Sequence, residues 1–199
     1  MTNAVHVAVS RQSAALRMIR KRNFRGLFNS TRAYLNARWS LRKAELRGSV
    51  RLVGRAYVKN DGTMIFGDRL RLDGSAVRLE FVCWKGATLS VGDNTYFNYG
   101  TNVSAMDRVE IGSNCAIGQY CIIMDSDYHS PDDHRAPGLP KPIVIEDDAW
   151  LGARVIVLRG AHIGRGAVIG ANSVVKGAIP PYTLAAGSPA RVIRSVRGA

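Results

Sequence analysis

The chain has three cysteines in 199 residues, Cys83, Cys115 and Cys121. An odd number without framework spacing excludes a disulfide-stapled scaffold and fits a reducing compartment. No run approaches the ~18 apolar residues that a membrane-spanning helix needs. The opening MTNAVHVAVSRQSAALRMIRKR also lacks the basic-then-apolar layout of a secretory signal. The expected location is therefore cytoplasmic. Acids are scarce in one region only. Residues 1–50 carry one acid, Glu45, against 11 Lys and Arg, whereas residues 51–199 carry 14 acids against 17 bases. Most of the net charge of +13 thus belongs to an N-terminal segment.

That segment, residues 1–48, reads as helical. Between Ser13 and Phe28, Leu16, Ile19, Phe24 and Leu27 recur near helical spacing among Arg17, Arg20, Lys21, Arg22 and Arg25. The NST at 29–31 offers caps for a second helix holding Tyr34, Leu35, Trp39 and Leu41. Two readings stand. The segment packs on its own domain or a neighbouring subunit, or it lies on the anionic inner face of a membrane, where basic and apolar side chains act together. Nucleic acid is not expected as a partner, because no recognition motif is present and the rest of the chain lacks matching basicity.

Residues 49–195 repeat themselves. Ile145, Leu151, Val157, Ile163, Ile169 and Val175 recur at a period of six residues, and IGSNCA, IGRGAV and IGANSV share one form. Neither a helical period of 3.6 nor a plain strand period of 2 produces this pattern. A coil of short strands joined by tight corners does. Each aliphatic beat points inward onto its equivalent in the next turn, and Gly, Asn or Asp accepts positive φ at the bend. The expected fold is all-β with a helical N-terminal appendage, followed by a tail at 196–199.

Two intervals break the period. Val91 to Ile111 is 20 residues, and Ile123 to Ile145 is 22. At each slip the chain is expected to leave the coil. The second contains DSDYHSPDDHR and APGLPKP, which predicts an excursion over 124–144 of the kind that usually carries function.

The hexapeptide run, MDSDYHSPDDHR, IVIEDDAWLGARVIV and the ending IPPYTLAAGSPARVIR together resemble the hexapeptide-repeat acyltransferases. The branch is that of maltose and galactoside O-acetyltransferases and of bacterial polysaccharide O-acetyltransferases. The likeness is good over 88–194, loose over 50–87, and absent from the first 48 residues. It implies a left-handed parallel β-helix, a homotrimer, and acetyl-CoA bound in a cleft between subunits. It also implies transfer of an acetyl group to the hydroxyl of a sugar or glycan.

The resemblance assigns roles by position. His129 matches the catalytic histidine, whose pKa of ~6.5 suits a base near neutral pH. Asp125 and Asp127 are near enough to orient its ring, as a main-chain carbonyl also is. Residues 127 and 129 of an extended stretch project to one side, which favours Asp127. Asn98 matches a residue that contacts the acceptor, and Trp150 is a wall of the cleft, too large for the coil interior. Gly152 and the N–H of Ala153 match the position that holds the thioester carbonyl. Ala171, Lys176, Arg191 and Arg194 match the carrier site, where small side chains admit pantetheine and cations meet phosphates. Each has a plainer reading as a corner, interface or surface residue.

His129 and His134 also admit a rival reading as two ligands of a metal in a carbonic-anhydrase-like lyase. A third would have to be His6 or His162, the latter read as a corner residue, and the flanking sequence does not match; no metal is expected. Acetylation of an antibiotic or another small molecule, and a non-catalytic assembly role, are further alternatives.

Overall fold

A computed structural model describes residues 31–130 and 132–196. Helix α1 (Thr31–Ser40) forms where the second helix was expected, while the first expected helix lies outside the described residues. Ala33 and Ala37 bury the side of α1 that faces the coil, and Leu41 continues that stripe. Such small side chains let the helix approach closely. The Asn36 amide donates to the carbonyls of Leu52 and Gly54 at 3.0 and 2.8 Å, fixing α1 to strand β2 (Arg51–Asn60).

The coil has three faces. The first is a seven-stranded ladder: β1 (Glu45–Leu46), β3 (Thr63–Phe66), β5 (Thr88–Val91), β8 (Arg108–Ile111), β11 (Ile143–Ile145), β14 (His162–Ile163) and β17 (Ala178–Ile179). The long strand β4 (Arg71–Cys83) runs through two faces and pairs with β2 along its length. Its first half begins the second face, with β6 (Tyr96–Phe97), β9 (Ala116–Ile117), β12 (Trp150–Leu151), β15 (Val168–Ile169) and β18 (Thr183–Gly187). Its second half begins the third face, with β7 (Asn102–Ala105), β10 (Ile122–Met124), β13 (Ile156–Val157) and β16 (Val174–Val175). These ladders are parallel. β19 (Ala190–Ser195) then folds back antiparallel on β18, covering the outer edge of the second face.

The six beats at period six occupy β11 to β16 in rotation, one per face, each no more than 1% exposed. Their registers are Ile145 with Ile163, Leu151 with Ile169 and Val157 with Val175. One turn is therefore three hexapeptides. At the N-terminal end, Phe66, Phe81 and Phe97, one from each face, stack edge to face at 5.1 and 5.4 Å.

Two expectations need correction. The first phase slip does not leave the coil: Val103, Ala105, Val109 and Ile111 are all buried in longer strands β7 and β8. Two extra residues in a strand preserve the inward–outward alternation, so the chain absorbs them in place. The coil also starts before residue 49, because Glu45 and Leu46 already pair with Ile65 and Phe66.

Candidate functional site on two corners of the coil

The second phase slip is the excursion, and it leaves the corner between the third and first faces. Asp125 begins it fully buried. Its carboxylate accepts the N–H groups of Met106, Asp107 and Arg108 at 2.7, 2.8 and 2.8 Å. It is thus committed to the preceding turn at the same corner and does not orient His129. Ser126 Oγ accepts the N–H of Tyr128. Tyr128 adopts φ +61 and sends its ring back toward the coil, where its hydroxyl lies 2.7 Å from Ser104 Oγ. Its ring meets Trp84 edge to face at 6.5 Å, and Lys59 Nζ sits 3.9 Å from the centre of the Trp84 ring.

The loop closes as a small antiparallel pair. His129 bridges Pro137, Ser130 N–H donates to Ala136, and Gly138 N–H donates to Tyr128. A side chain at Gly138 would place its Cβ 2.9 Å from the His129 carbonyl oxygen, so only glycine permits this crossing. His129 itself is exposed, and its imidazole has no hydrogen-bond partner among the described residues.

Asp127 does not reach that imidazole. Its carboxylate pairs with Arg159, at the same corner one turn along. The expectation that residues 127 and 129 share a side assumed extended backbone, and the left-handed turn at Tyr128 removes that premise.

The corner between the second and third faces holds a different group. By register, Asn98, Gly118, Gly152 and Gly170 lie in one column, with Gln119, Ala153 and Ala171 in the next. The glycines are required by stacking. A Cβ on Gly118 would lie 2.6 Å from Gly152 carbon, and one on Gly152 would lie 2.8 Å from the Ala171 nitrogen. Asn98 ties its amide to Gln119 at 3.2 Å and to its neighbour Tyr99 N–H at 2.9 Å. The N–H of Ala153 donates to no described residue, and the same holds for Gln119 and Ala171. This edge is smooth, narrow and lined with free donors.

Within one protomer the expected residues therefore separate. His129 and, two turns along the same corner, Lys176 lie on one side of the third face. Asn98, Gly152, Ala153 and Ala171 lie on the other. Trp150 points outward from the second face on β12, half-buried. Arg191 and Arg194 stand exposed on β19.

A family model for bacterial transferase hexapeptide (six repeats) matches residues 142–177. A protein of Escherichia coli K12 that carries the name lipopolysaccharide biosynthesis O-acetyl transferase WbbJ is 34% identical over 149 residues, 69% of this chain and 74% of its own. The chain belongs to the hexapeptide-repeat acetyltransferases. Another relative, from Mycobacterium tuberculosis and also named as an acetyltransferase, is 39% identical over 113 residues; these are 54% of this chain but 37% of that longer protein. A crystal structure of a hexapeptide-repeat acetyltransferase from Vibrio cholerae superposes with TM-score 0.58 at 34% identity, over 66% of this chain and 73% of its own. A second structure of that protein, complexed with acetyl coenzyme A, matches with TM-score 0.55 at 25% identity, over 100% and 92%.

As an acetyltransferase of this family, the chain offers no cysteine for a covalent route. Cys115 and Cys121 are buried in the coil, and burial pushes their thiols up to about 12 and about 11; Cys83 is raised for the same reason. His162 sits on strand β14, not at a corner as its flanking glycines suggested, and its Nε2 lies 2.7 Å from Glu146. That contact, with the N–H of Arg165, holds the Glu146 carboxyl below its usual value. Among the described residues no cluster of three His, Cys, Asp or Glu is placed to hold a metal. Lys176, Arg191 and Arg194 make no ion pair among the described residues. Tyr128, Ser104 and Arg159, whose contacts tie the stretch before His129 to the coil, carried no sequence signal that sets them apart.

Proposed function

We propose that the chain is an acetyl-CoA-dependent O-acetyltransferase acting on a hydroxyl of a sugar or glycan. The observation that carries this reading is His129: an exposed imidazole without a partner among the described residues, on a loop whose Asp125, Asp127 and Tyr128 are fixed to the coil. Support for the donor comes from the Vibrio cholerae relative complexed with acetyl coenzyme A, and for a glycan acceptor from the lipopolysaccharide name of the Escherichia coli relative.

Acetyl-CoA supplies an activated thioester carbonyl. His129 takes the proton of the acceptor hydroxyl as its oxygen attacks that carbon. The Ala153 N–H stabilises the charge that develops on the carbonyl oxygen. As the new C–O bond forms and the C–S bond breaks, His129 returns the proton to the departing thiolate. Ala171 and Gly152 leave room for the pantetheine arm, and Lys176, Arg191 and Arg194 meet the phosphates. Asn98 and Trp150 face the acceptor. The two halves of this site lie on different corners, which a homotrimer would bring together by setting one copy's loop against the next copy's smooth corner.

The test is the chemistry of the product. Purified protein is supplied with acetyl-CoA and sugars carrying only hydroxyls, or a hydroxyl and an amine. An ester product, cleaved by hydroxylamine, supports the reading. A hydroxylamine-resistant amide as the sole product would overturn it.

A further inference from the structure

Helix α1 presents its residues in an unusual order. A surface helix ordinarily turns large apolar residues inward and polar ones outward. Here the inward side is Ala33, Ala37 and the adjoining Leu41. At ~100° per residue, Leu35 and Trp39 fall on the opposite side, at the middle of the solvent face. They are 59% and 71% exposed. Exposed Arg32, Arg38 and Arg42 flank them, Lys43 follows, and no acid occurs from residue 31 to residue 44. The Arg42 guanidinium lies 4.9 Å from the Trp39 ring centre and donates to the Trp39 carbonyl at 3.1 Å, setting the indole in positive charge.

This face has an apolar centre and a border whose charged groups are all cationic. A second copy of α1 would meet it with like charge. A neutral apolar partner would leave the arginines without counterions. A phospholipid surface satisfies both parts: an indole settles at the boundary between headgroups and acyl chains, while guanidinium groups pair with phosphate oxygens. In sequence, residues 1–30 add Arg11, Arg17, Arg20, Lys21, Arg22 and Arg25 and no acid, continuing the same charge.

We propose that α1 is a docking face for an anionic lipid surface, with Trp39 and Leu35 entering the headgroup boundary and the arginines engaging lipid phosphates. Two apolar side chains give a shallow contact, so attachment is reversible and weakens with salt. Each basic residue near the surface strengthens it about fivefold.

The experiment is flotation of the full-length chain with vesicles of phosphatidylcholine alone or mixed with phosphatidylglycerol. Variants are Leu35→Ser/Trp39→Ser and Arg38→Gln/Arg42→Gln. All four side chains are exposed, so thermal midpoints and acetyl transfer to a soluble sugar remain at wild-type values. The expected result is flotation only with the mixed vesicles, reversed by high salt, with partitioning lowered about tenfold or more in each double variant. Four outcomes overturn the proposal. The wild type fails to float, or both variants float like the wild type. In the third, duplex DNA displaces the vesicles and the same substitutions abolish DNA binding, which would make nucleic acid the partner. Concentration-dependent self-association without lipid, lost in Leu35→Ser/Trp39→Ser, equally overturns it in favour of a second copy.

Discussion

The Tyr128 hydroxyl and Ser104 Oγ are 2.7 Å apart, joining the loop that carries His129 to the third face across 24 residues of sequence. Because Tyr128 has φ +61, its ring points to the coil while the next residue points away. If this bond sets the pose of His129, Tyr128→Phe and Ser104→Ala should each lower kcat roughly five- to tenfold, the worth of one hydrogen bond. KM for acetyl-CoA should stay unchanged. The double variant should lose no more than either single one, because both remove the same contact. Equal loss of stability without loss of kcat would mean the bond serves folding alone.

Asp125 should matter for folding more than for catalysis. Asp125→Ala leaves three N–H groups without their acceptor at a buried corner. A loss of about 3 kcal/mol or more is expected, read from urea denaturation. A neutral substitution would contradict the role of this carboxylate as the anchor of the loop.

Asp127 and Arg159 make a partly exposed ion pair, with side chains 44% and 30% accessible. Its contribution to stability should stay below about 1 kcal/mol. Asp127→Asn should lower kcat to the same extent as Arg159→Gln and should leave the pH–rate profile in place. A shifted profile in Asp127→Asn but not in Arg159→Gln would show Asp127 acting on the imidazole directly.

The cysteines predict a pH dependence. Burial raises the thiol of Cys115 from 9.0 to about 12 and that of Cys121 to about 11. The fold therefore retains thiol protons that the unfolded chain releases. Stability from this source is fully present below pH 9 and is lost as pH rises from 9 toward 12. Urea midpoints should be flat from pH 7 to 9 and then fall. Iodoacetamide at pH 7.5 should leave activity intact, and inactivation in proportion to labelling would contradict a direct transfer.

The coil was legible because its cause is local: every inward beat must be aliphatic, and the corners need residues that accept positive φ. Six beats in register from Ile145 to Val175 leave few other folds. The slip at Val91–Ile111 misled because a strand can gain two residues without changing which side chains face inward. His129, Asn98 and Ala153 were singled out only through their family context, not by a pattern of their own. The geometry around them was not legible. Whether Asp125 or Asp127 meets the imidazole depends on one backbone dihedral at Tyr128, a residue type with no preference for that conformation. Arg159, 32 positions further along the chain, reaches Asp127 only because the coil returns to the same corner. The boundary at 49 fell late because β1 stands at the end of its ladder, with no earlier turn whose beat it could repeat.

The most direct measurement is calorimetric titration of acetyl-CoA into wild type and His129→Ala, with thiol release assayed on the same samples in the presence of a sugar acceptor. His129 is exposed, and in the proposed arrangement the carrier is held by Gly152, Ala153, Ala171 and the cations rather than by the imidazole. Equal binding by both proteins is therefore predicted, with thiol release by the wild type alone. Release by His129→Ala at the wild-type rate, or no binding by either protein, would contradict the account.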